Sequence, residues 1–348
     1  MNKTKILFVD HTPFAGGAQL RLAEDIKWLD RTRFEPFLLI DKNSKFESIY
    51  NKSDVRIYKI PFSRLNLLHP VAIPRLIRSI QTFFKVIQEL EPDIVMSNTT
   101  RGLLVAALVS KVYRADFKLI SYIRDYDYPK WMFPLIGDEV DKYLFVSKSV
   151  RSFYKLSGSV IYLGSEVKAR SHQLSKKFNV GFLGRLVDWK GAEQLVKAVK
   201  KLKQADVNLF IWGTGKGQKG SIEEKIKKQS GSGVKFFGHT SDPTSAFNQM
   251  SCFVLPSQKP EPFATTLIEA ALSKVPIIAT DTGGTNEFIK NGKNGLLVMA
   301  GDTNQLEQSL VRLKDDPILA SKLADQAFLD AQKFTQAEFI KRLEKVLV

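Results

Sequence analysis

Short apolar segments alternate with amphipathic segments along most of the chain, and no other feature of the sequence restricts the fold so strongly. In the first half the apolar segments are KILFVD (5–10), FEPFLLI (34–40), VRIYKI (55–60), DIVMSN (93–98), FKLISYI (117–123) and KYLFVS (142–147). Amphipathic, helical patterns lie between them, at 18–29, 73–90 and 103–113. Continuous apolar runs are typical of strands buried on both faces, and the intervening helices permit parallel pairing. The sequence therefore predicts an α/β fold with a covered parallel sheet.

The same alternation begins again after a polar stretch, SEVKARSHQLSKK (165–177). The second set of apolar segments is NVGFLGRL (179–186), VNLFIWG (207–213), VKFFGH (234–239), CFVLPS (252–257), VPIIAT (275–280) and GLLVMA (295–300). A chain of 348 residues is too long for one ordinary domain. We predict two Rossmann-like, doubly wound domains, over 1–164 and 178–330, with a linker at 165–177 and a ligand cleft between them. A C-terminal helix at 331–348 is expected to pack back on the first domain.

Composition narrows the classes of protein that remain. No run of 18 apolar residues occurs, and the N-terminus turns polar directly after a short strand, so neither a membrane span nor a signal peptide is expected. Cys252 is the single cysteine and stands in an apolar run, which excludes internal disulfides and is typical of a reducing cytoplasm. The formal net charge of +16 favours anionic partners. Because the basic residues are dispersed and no recognition-helix or zinc pattern occurs, nucleic acid is not expected among them.

The stretch KPEPFATTLIEA, which begins at Lys259, places two acids eight positions apart. Pro262 keeps Glu261 out of a helix, so Glu261 is expected on the incoming loop. The helix is expected to begin near Ala264 and to carry Glu269. The free backbone N–H groups of its first turn form an anion site between the two acids. The pattern indicates a pocket for a ligand with hydroxyl groups at both ends and phosphate in the middle; an ordinary helix start with an exposed acid is the alternative.

Two loops that follow strands contain adjacent glycines. PFAGGAQ (13–19) places Gly16 and Gly17 directly before a helix, and TDTGGTNEF (280–288) repeats the arrangement in the second half. Glycine permits positive φ angles and a close approach of backbone to a ligand. A simple tight turn explains each loop equally well when it is considered alone.

Two further loops offer phosphate-binding features. GRLVDWKG (184–191) follows a strand and carries Arg185, with a planar guanidinium, and Lys190, with a point charge. WGTGKGQKG (212–220) contains a G-x-G-x-x-G spacing, which also occurs in sites for nicotinamide dinucleotides. Such a site requires an acid at the end of the next strand to bind the ribose, and this sequence has none there. We interpret this last loop as a flexible segment on the phosphate side.

These motifs together resemble those of the GT-B glycosyltransferases often called family 4, in the glycosyltransferase group 1 class. The resemblance is carried by GRLVDWKG, by EPFATTLIEA with its E-x7-E spacing, and by DTGGTNEFIKNGKNGLLV (281–298). In the first half it is carried by GGAQ and by VSKSV (146–150). The motifs cover most of residues 178–300. The implied fold is GT-B, with two Rossmann-like domains, and the implied activity is sugar transfer from a nucleoside diphosphate.

The resemblance also implies roles for individual residues. Glu269 matches the glutamate that binds ribose hydroxyls, and Glu261 the one that faces the donor sugar. Arg185 and Lys190 match the pair that neutralises the diphosphate, so that no metal is required. The catalytic set is therefore Arg185, Lys190 and Glu261. The remaining donor contacts fall on Gly16 and Gly17, on His239 and Thr240 beside the base, and on the backbone of Ala264, Thr265, Thr266 and Leu267.

The sequence departs from the family at one acceptor-side position. Many relatives carry a histidine in the loop after the strand that matches FKLISYI, and this chain has Arg124 there. Arginine stays charged and is no general base, although it could hold a donor phosphate or an acceptor. Asp125 and Asp127 are the nearest candidate bases, and turn formation is the stronger interpretation of both.

The helical pattern at 73–90 mixes basic side chains, Arg75, Arg78 and Lys85, with phenylalanines. Such a mixture suits an anionic membrane surface, while a helix that only covers the sheet is the simpler alternative.

Three hypotheses for function follow from the sequence. The leading one is a retaining glycosyltransferase that acts on a UDP- or GDP-sugar and a glycan or lipid-linked acceptor, in bacterial polysaccharide or glycolipid synthesis, at the cytoplasmic face of the membrane. The alternatives are a nucleotide-sugar 2-epimerase of the same fold and a non-enzymatic basic protein that binds nucleic acid or membrane. The sequence does not specify the donor base, the sugar, the acceptor, the pathway or the oligomeric state.

Overall fold

The computed structural model describes residues 3–12, 17–62, 72–166, 177–202, 206–218 and 220–348. The chain forms two compact units, one of residues 1–162 with 339–348 and one of residues 163–338.

The first unit contains a parallel sheet of seven strands. They are β1 (Thr4–Asp10), β2 (Phe34–Asp41), β3 (Arg56–Ile60), β4 (Ile94–Ser97), β5 (Lys118–Ile123), β6 (Lys142–Phe145) and β7 (Ser159–Val160). Their order is β3-β2-β1-β4-β5-β6-β7. The helices are α1 (Gly17–Trp28), α2 (Ala72–Leu90), α3 (Thr100–Tyr113), α4 (Met132–Ile136) and α5 (Lys148–Tyr154). β1 pairs with β2 on one side and β4 on the other, so the order reverses at β1.

The second unit repeats this plan with six parallel strands. They are β8 (Phe178–Leu183), β9 (Val207–Trp212), β10 (Val234–Gly238), β11 (Cys252–Leu255), β12 (Ile277–Thr280) and β13 (Leu296–Val298), in the order β10-β9-β8-β11-β12-β13. The helices are α6 (Ala192–Leu202), α7 (Glu223–Gln229), α8 (Pro243–Phe247), α9 (Thr265–Leu272), α10 (Thr285–Phe288), α11 (Thr303–Asp315) and α12 (Pro317–Ala331). A further helix, α13 (Gln336–Leu347), begins in the second unit, and its residues from Phe339 onward belong to the first. The order reverses at β8, which places its switch point between β8 and β11.

Burial explains why these segments form strands. The central strands β4, β11 and β12 are buried along their whole length, so they require apolar side chains on both faces. Below the second sheet, a continuous core joins β8, β9 and β11 to helices α6, α11 and α12. The predicted α/β class with two doubly wound parallel sheets is thereby confirmed.

The last residues of the chain belong to the first unit. Phe339 is fully buried and lies parallel to the Tyr122 ring, with 6.4 Å between the ring centroids. The Glu344 carboxylate accepts a hydrogen bond from the backbone N–H of Asp30 at 2.8 Å and pairs with Arg33. Both apolar packing and polar contacts therefore attach the end of α13 to the first sheet.

Candidate functional site

The switch point of the second sheet brings together two of the predicted loops. The loop after β8 carries Arg185 and Lys190, and the loop after β11 carries Glu261. Ligands of open α/β sheets bind at this position, outside the carboxyl ends of the strands. The Lys190 ammonium lies 2.6 Å from the Glu261 carboxylate, although 71 residues separate them in the chain.

The surroundings of Glu261 hold its carboxylate firmly in place. Glu261 is 3% exposed, and the Ser257 hydroxyl donates a hydrogen bond to the same oxygen, Oε1, that Lys190 binds. Thr280 in turn donates from its hydroxyl to the Ser257 carbonyl at 2.7 Å. A buried carboxylate is stable when it is paired and hydrogen-bonded, and Glu261 has both kinds of contact.

The second glycine pair of the sequence fixes the backbone of Glu261. Gly284 donates its N–H to the Glu261 carbonyl at 2.6 Å. Gly283 has a φ of +57°, and a Cβ atom there would lie 2.3 Å from the Glu261 carbonyl oxygen. The glycine is therefore required for close backbone packing against the glutamate, which is a different use from a direct ligand contact.

Helix α9 begins directly after this loop, one residue later than the predicted Ala264. Ala264 is extended, with a φ of −81° and a ψ of 105°, and its carbonyl accepts the N–H of Leu267 at 3.1 Å. The amides of Thr265 and Thr266 have no intrahelical acceptor, as is usual in a first turn. Glu269 lies inside the helix and is 4% exposed. A buried acid therefore stands on each side of a helix N-terminus, as the sequence predicts.

Arg185 and Lys190 differ in their partners. Among the described residues, no carboxylate or hydrogen-bond acceptor contacts the exposed Arg185 guanidinium, whereas Lys190 is paired with Glu261. Both cations lie over the ring of Trp189, with Arg185 Cζ 5.6 Å and Lys190 Nζ 4.4 Å from its centroid. The sequence reasoning missed Trp189, even though it stands between the two cations in GRLVDWKG. It also missed Ser257, which lies four residues before Glu261.

The glycine-rich loop after β9 packs beside the Arg185 loop. The Glu223 carboxylate accepts hydrogen bonds from the Thr214 hydroxyl and the Gly215 N–H. The Lys227 ammonium, these two donors and the charge of Lys227 lower the pKa of Glu223 to about 2. An ionised carboxylate therefore holds Thr214 and Gly215 at the start of the loop that we predicted to be flexible.

The predicted base-binding residues follow the edge strand β10. His239 is exposed, and the Thr240 hydroxyl exchanges hydrogen bonds with the backbone of Asp242. The neighbouring Gly238 accepts the N–H of Gly213 at 2.6 Å, which joins this turn to the end of β9. Of the first-domain glycines, Gly17 opens α1 and is exposed, and Gly16 lies outside the described residues.

Arg124 follows β5 and is a buried residue. Its Nη2 lies 2.6 Å from the Asp25 carboxylate, and its Cζ lies 4.4 Å from the Tyr122 ring centroid. Its Nε and Nη1 atoms are buried and have no hydrogen-bond partner in the described part of the chain. Nothing in the sequence pattern pointed to Asp25, which is 99 residues away.

Asp125 is half-buried, and its carboxylate accepts the N–H of Asp127 at 2.9 Å. This contact is the turn that the simpler interpretation predicted. Burial raises the pKa of Asp125 to about 6, although the Asp127 N–H opposes the shift. At the end of β1, burial raises the pKa of Asp10, against hydrogen bonds from Thr12 and Gln19.

Neither a metal-binding cluster nor a membrane-crossing helix occurs in the described ranges. These residues contain no group of three or more histidine, cysteine, aspartate or glutamate side chains placed to hold a metal ion. None of the helices in the same ranges has the length and apolar character that crossing a bilayer requires.

Part of the chain is similar to known proteins. Residues 165–330 match the family described as glycosyl transferases group 1. The capsular polysaccharide biosynthesis glycosyltransferase CapM of Staphylococcus aureus is 30% identical over 44% of this chain, and the match covers 42% of CapM, less than two thirds of its length. An uncharacterised glycosyltransferase of Methanocaldococcus jannaschii, MJ1069, is 24% identical over 99% of this chain and 98% of its own length.

Solved structures share the whole architecture. The Anabaena protein HepE in complex with UDP superposes with a TM-score of 0.83 at 21% identity, over 99% of both chains. The lipopolysaccharide outer core galactosyltransferase WaaB superposes with a TM-score of 0.77 at 19% identity, again over 99% of both chains. At these identities the likeness shows the fold, and the predicted GT-B fold is confirmed.

Proposed function

Residues 165–330 match the glycosyl transferases group 1 family, and from this match we propose that the chain is a retaining hexosyltransferase of the family 4 type. It moves a sugar from a nucleoside diphosphate, UDP or GDP, to a glycan or lipid-linked acceptor. In the reaction, the bond between the sugar C1 and the diphosphate oxygen breaks, and a bond between C1 and the acceptor oxygen forms on the same face. The departing phosphate oxygen takes the acceptor proton, and the nucleoside diphosphate leaves.

The single observation that carries this proposal is the pair of buried acids on the two sides of the α9 N-terminus. Glu261 lies on the loop and Glu269 inside the helix, and the free amides of Thr265 and Thr266 lie between them. Carboxylates accept hydrogen bonds from hydroxyl groups, and helix N-termini bind phosphate. We assign the ribose to Glu269, the transferred sugar to Glu261 and the phosphates to the helix N-terminus.

The cations beside this helix suit the leaving group. Arg185 has no acidic partner in the described structure, and Lys190 can leave Glu261 for a phosphate oxygen. Preorganised donors that meet developing charge lower the barrier most effectively. We therefore propose that the diphosphate is stabilised by Arg185, Lys190 and α9, without a metal. Activity should survive chelation by EDTA; complete loss, restored by magnesium or manganese, would contradict this part of the proposal.

For the acceptor, we propose the carboxyl edge of the first sheet. The Asn98 side-chain amide and two nitrogens of Arg124 are buried there without hydrogen-bond partners among the described residues. Buried polar groups of this kind normally bind a partner, and hydroxyl groups of a sugar would supply one.

Contact with an anionic membrane is proposed for the first two turns of α2. Ile73 and Ile77 are 62% and 49% exposed, and Arg75 and Arg78 are exposed beside them. The later turns cover the sheet through Phe83, which confirms the amphipathic reading of this helix. We expect sedimentation with vesicles that contain anionic lipid and its loss in Arg75→Glu/Arg78→Glu. Equal sedimentation of both proteins would contradict the proposal.

The function is tested first by thermal-shift screening with nucleoside diphosphates and their sugars. A ligand at 100 times its Kd stabilises the folded protein by about 2.7 kcal/mol, which is readily detected. The donor so identified is then incubated with glycan and lipid-linked acceptors. Conversion of UDP-N-acetylglucosamine without acceptor would indicate an epimerase instead, and salt-dependent DNA retention without nucleotide binding would indicate a nucleic-acid-binding protein.

A further inference from the structure

Trp189 contacts both cations of the proposed diphosphate site, and the roles assigned so far leave it unused. It lies in a single 3₁₀ turn, Asp188–Lys190, that follows strand β8. The Lys190 ammonium is 4.4 Å and the Arg185 guanidinium carbon 5.6 Å from the centroid of its ring. Both distances lie within the range of about 6 Å over which an aromatic face attracts a cation.

The indole lies beside the Arg185 head group. In the described part of the chain, no carboxylate or hydrogen-bond acceptor contacts this guanidinium, which is exposed to solvent. A long side chain without such a contact samples many rotamers, and ordering it on ligand binding opposes affinity. The ring face restricts Arg185 and leaves all its N–H donors free for a ligand.

Lys190 lies between the same ring and an acid. Its ammonium contacts the Glu261 carboxylate at 2.6 Å and the indole at 4.4 Å. A diphosphate that draws the ammonium away from Glu261 need not separate it from the ring. The indole also carries negative charge on its face, which reduces the cost of holding two cations close together before the anion arrives.

The backbone under the indole is fixed. The Trp189 carbonyl accepts the N–H of Gln258 at 2.7 Å, and the Trp189 N–H is 2.6 Å from the Asp188 carboxylate. Gly191 has a φ of +75°, and a Cβ there would lie 1.8 Å from the Pro256 carbonyl oxygen. The turn is therefore locked against the strand that leads to Glu261, and the ring is held by a rigid element.

From these contacts we propose that Trp189 is a positioning residue, whose indole face arranges Arg185 and Lys190 for the donor diphosphate before it binds. This inference rests on the proposed function, because it takes the two cations as diphosphate ligands. The ligand it concerns is a nucleoside diphosphate, free or bound to a sugar. Replacement of the ring should raise the Kd of that ligand without unfolding the protein.

The first experiment is calorimetric titration of Trp189→Phe and Trp189→Leu with the nucleoside diphosphate. A cation–aromatic contact is worth about 0.5–1 kcal/mol at an exposed site, so loss of both contacts in Trp189→Leu should raise the Kd about five- to thirtyfold. Trp189→Phe keeps an aromatic face and should show a smaller increase. An unchanged Kd in Trp189→Leu would overturn the proposal.

The second experiment separates electrostatics from packing. The protein is produced with tryptophan that carries zero, one, two or three ring fluorines, which withdraw charge from the ring face while its shape hardly changes. The logarithm of the Kd should rise with each fluorine. The control is the same series in Trp189→Phe, where only Trp28, Trp131 and Trp212 are fluorinated and the Kd should stay constant.

The outcomes distinguish this inference from the function on which it rests. If Arg185→Ala and Lys190→Ala both leave the Kd unchanged, the diphosphate site itself is wrong. If both weaken binding but the fluorine series is flat, the cations bind diphosphate without help from the indole, and the role of Trp189 is structural. A rising series that persists in Trp189→Phe would assign the effect to another tryptophan and would also overturn the inference.

Discussion

Each unit contains a buried ion pair at the carboxyl edge of its parallel sheet, and in each pair the cation also lies over an aromatic ring. Arg124 pairs with Asp25 over Tyr122, and Lys190 pairs with Glu261 over Trp189, with both cations 4.4 Å from the ring centroid. The side chains of the first pair are 5% and 2% exposed, and those of the second 15% and 3%.

This difference in access separates an ion pair that stays closed from one that a ligand can open. The Arg124 head group is enclosed, so its bond with Asp25 has to persist for the fold to be stable. The Lys190 side chain is 15% exposed and shares the Trp189 ring with Arg185, which no described acid contacts, so we propose that a ligand can replace Glu261 as the partner of Lys190. Similar chemistry therefore serves stability in the first unit and, we propose, ligand exchange in the second.

The largest expected effect concerns the first pair. Arg124→Ala leaves the Asp25 carboxylate buried without its guanidinium partner and should lower the free energy of unfolding by about 3–5 kcal/mol. Urea denaturation measures this loss. The double variant Asp25→Leu/Arg124→Leu removes both charges and should regain most of it. If Arg124→Ala is as stable as the wild type, the pair does not stabilise the first unit.

Next in size is the effect on rate of two cations: Lys190 of the second pair and its neighbour Arg185. Arg185→Ala and Lys190→Ala should each lower kcat/KM by the equivalent of about 2–4 kcal/mol, as loss of one preorganised donor does. Initial rates of nucleoside diphosphate release provide the measurement. Lys197→Ala, which removes a surface cation paired with Glu193 on α6, is the matched control and should keep full activity. Wild-type turnover of both site variants would refute the assignment.

Substitution of the two acids of the pocket should change different quantities, nucleoside diphosphate affinity for Glu269 and turnover for Glu261. Glu269→Gln should weaken nucleoside diphosphate binding at least tenfold, since a charge-assisted hydrogen bond contributes about 1.5–3 kcal/mol. Glu261→Gln should not weaken that binding, because the ligand lacks the sugar and Lys190 is released, but turnover should fall. Calorimetry with the diphosphate decides between them. The opposite result would reverse the two roles, and no effect of either change would mean that the pocket is wrongly placed.

A smaller effect is expected at Ser257, whose hydroxyl donates a hydrogen bond to the same Glu261 oxygen that Lys190 contacts. Ser257→Ala removes one hydrogen bond to the carboxylate, worth about 1 kcal/mol, so kcat should fall several-fold while diphosphate affinity is unchanged. Ser230→Ala, whose hydroxyl binds a backbone carbonyl on α7, is the control. Equal losses in the two variants would indicate a general effect on stability.

The smallest effect depends on pH and concerns Asp125, next to the enclosed pair. Its pKa in the folded protein, about 6, lies above the usual value of 3.8, so the folded state binds the proton of this carboxyl group more tightly than the unfolded state does. Its stability contribution is complete below about pH 4 and is lost as the pH rises through 6. Asp125→Asn should therefore be more stable than the wild type by about 1 kcal/mol above pH 7, after allowance for solvent screening, and equal below pH 4. A constant difference between pH 3 and pH 8 would exclude this titration.

The sequence predicted the fold in detail because parallel strands buried on both faces produce continuous apolar runs. Twelve predicted strands agree with β1–β6 and β8–β13 to within about three residues at each end. β7 was missed because Ser159–Val160 is only two residues long, with one of them exposed. The packing of Phe339 on Tyr122 depends on tertiary contact between distant segments, which periodicity does not reveal.

For the candidate site, the sequence indicated loops and charges but not their pairing. Pro262 and the apolar run after it were enough to put Glu261 on a loop and Glu269 in a helix. The contact of Lys190 with Glu261 and that of Arg124 with Asp25 join residues that are far apart in the chain, so local spacing carries no signal for either. A single sequence shows where charges lie along the chain, whereas burial in the folded protein decides which ion pairs a ligand can open.

The attachment of residues 339–348 to the first unit has a consequence for biosynthesis. The N-terminus of a chain leaves the ribosome first, and domains generally fold as they emerge. Here the second unit, residues 163–338, is completely synthesised before the first, since Phe339 and Glu344 of the first unit emerge last. Until then the nascent first sheet lacks the ring that packs on Tyr122 and the carboxylate that binds Asp30. Synthesis of the first unit therefore begins before that of the second unit and ends after it. A chaperone that protects the region around Tyr122 would act throughout synthesis of the second unit.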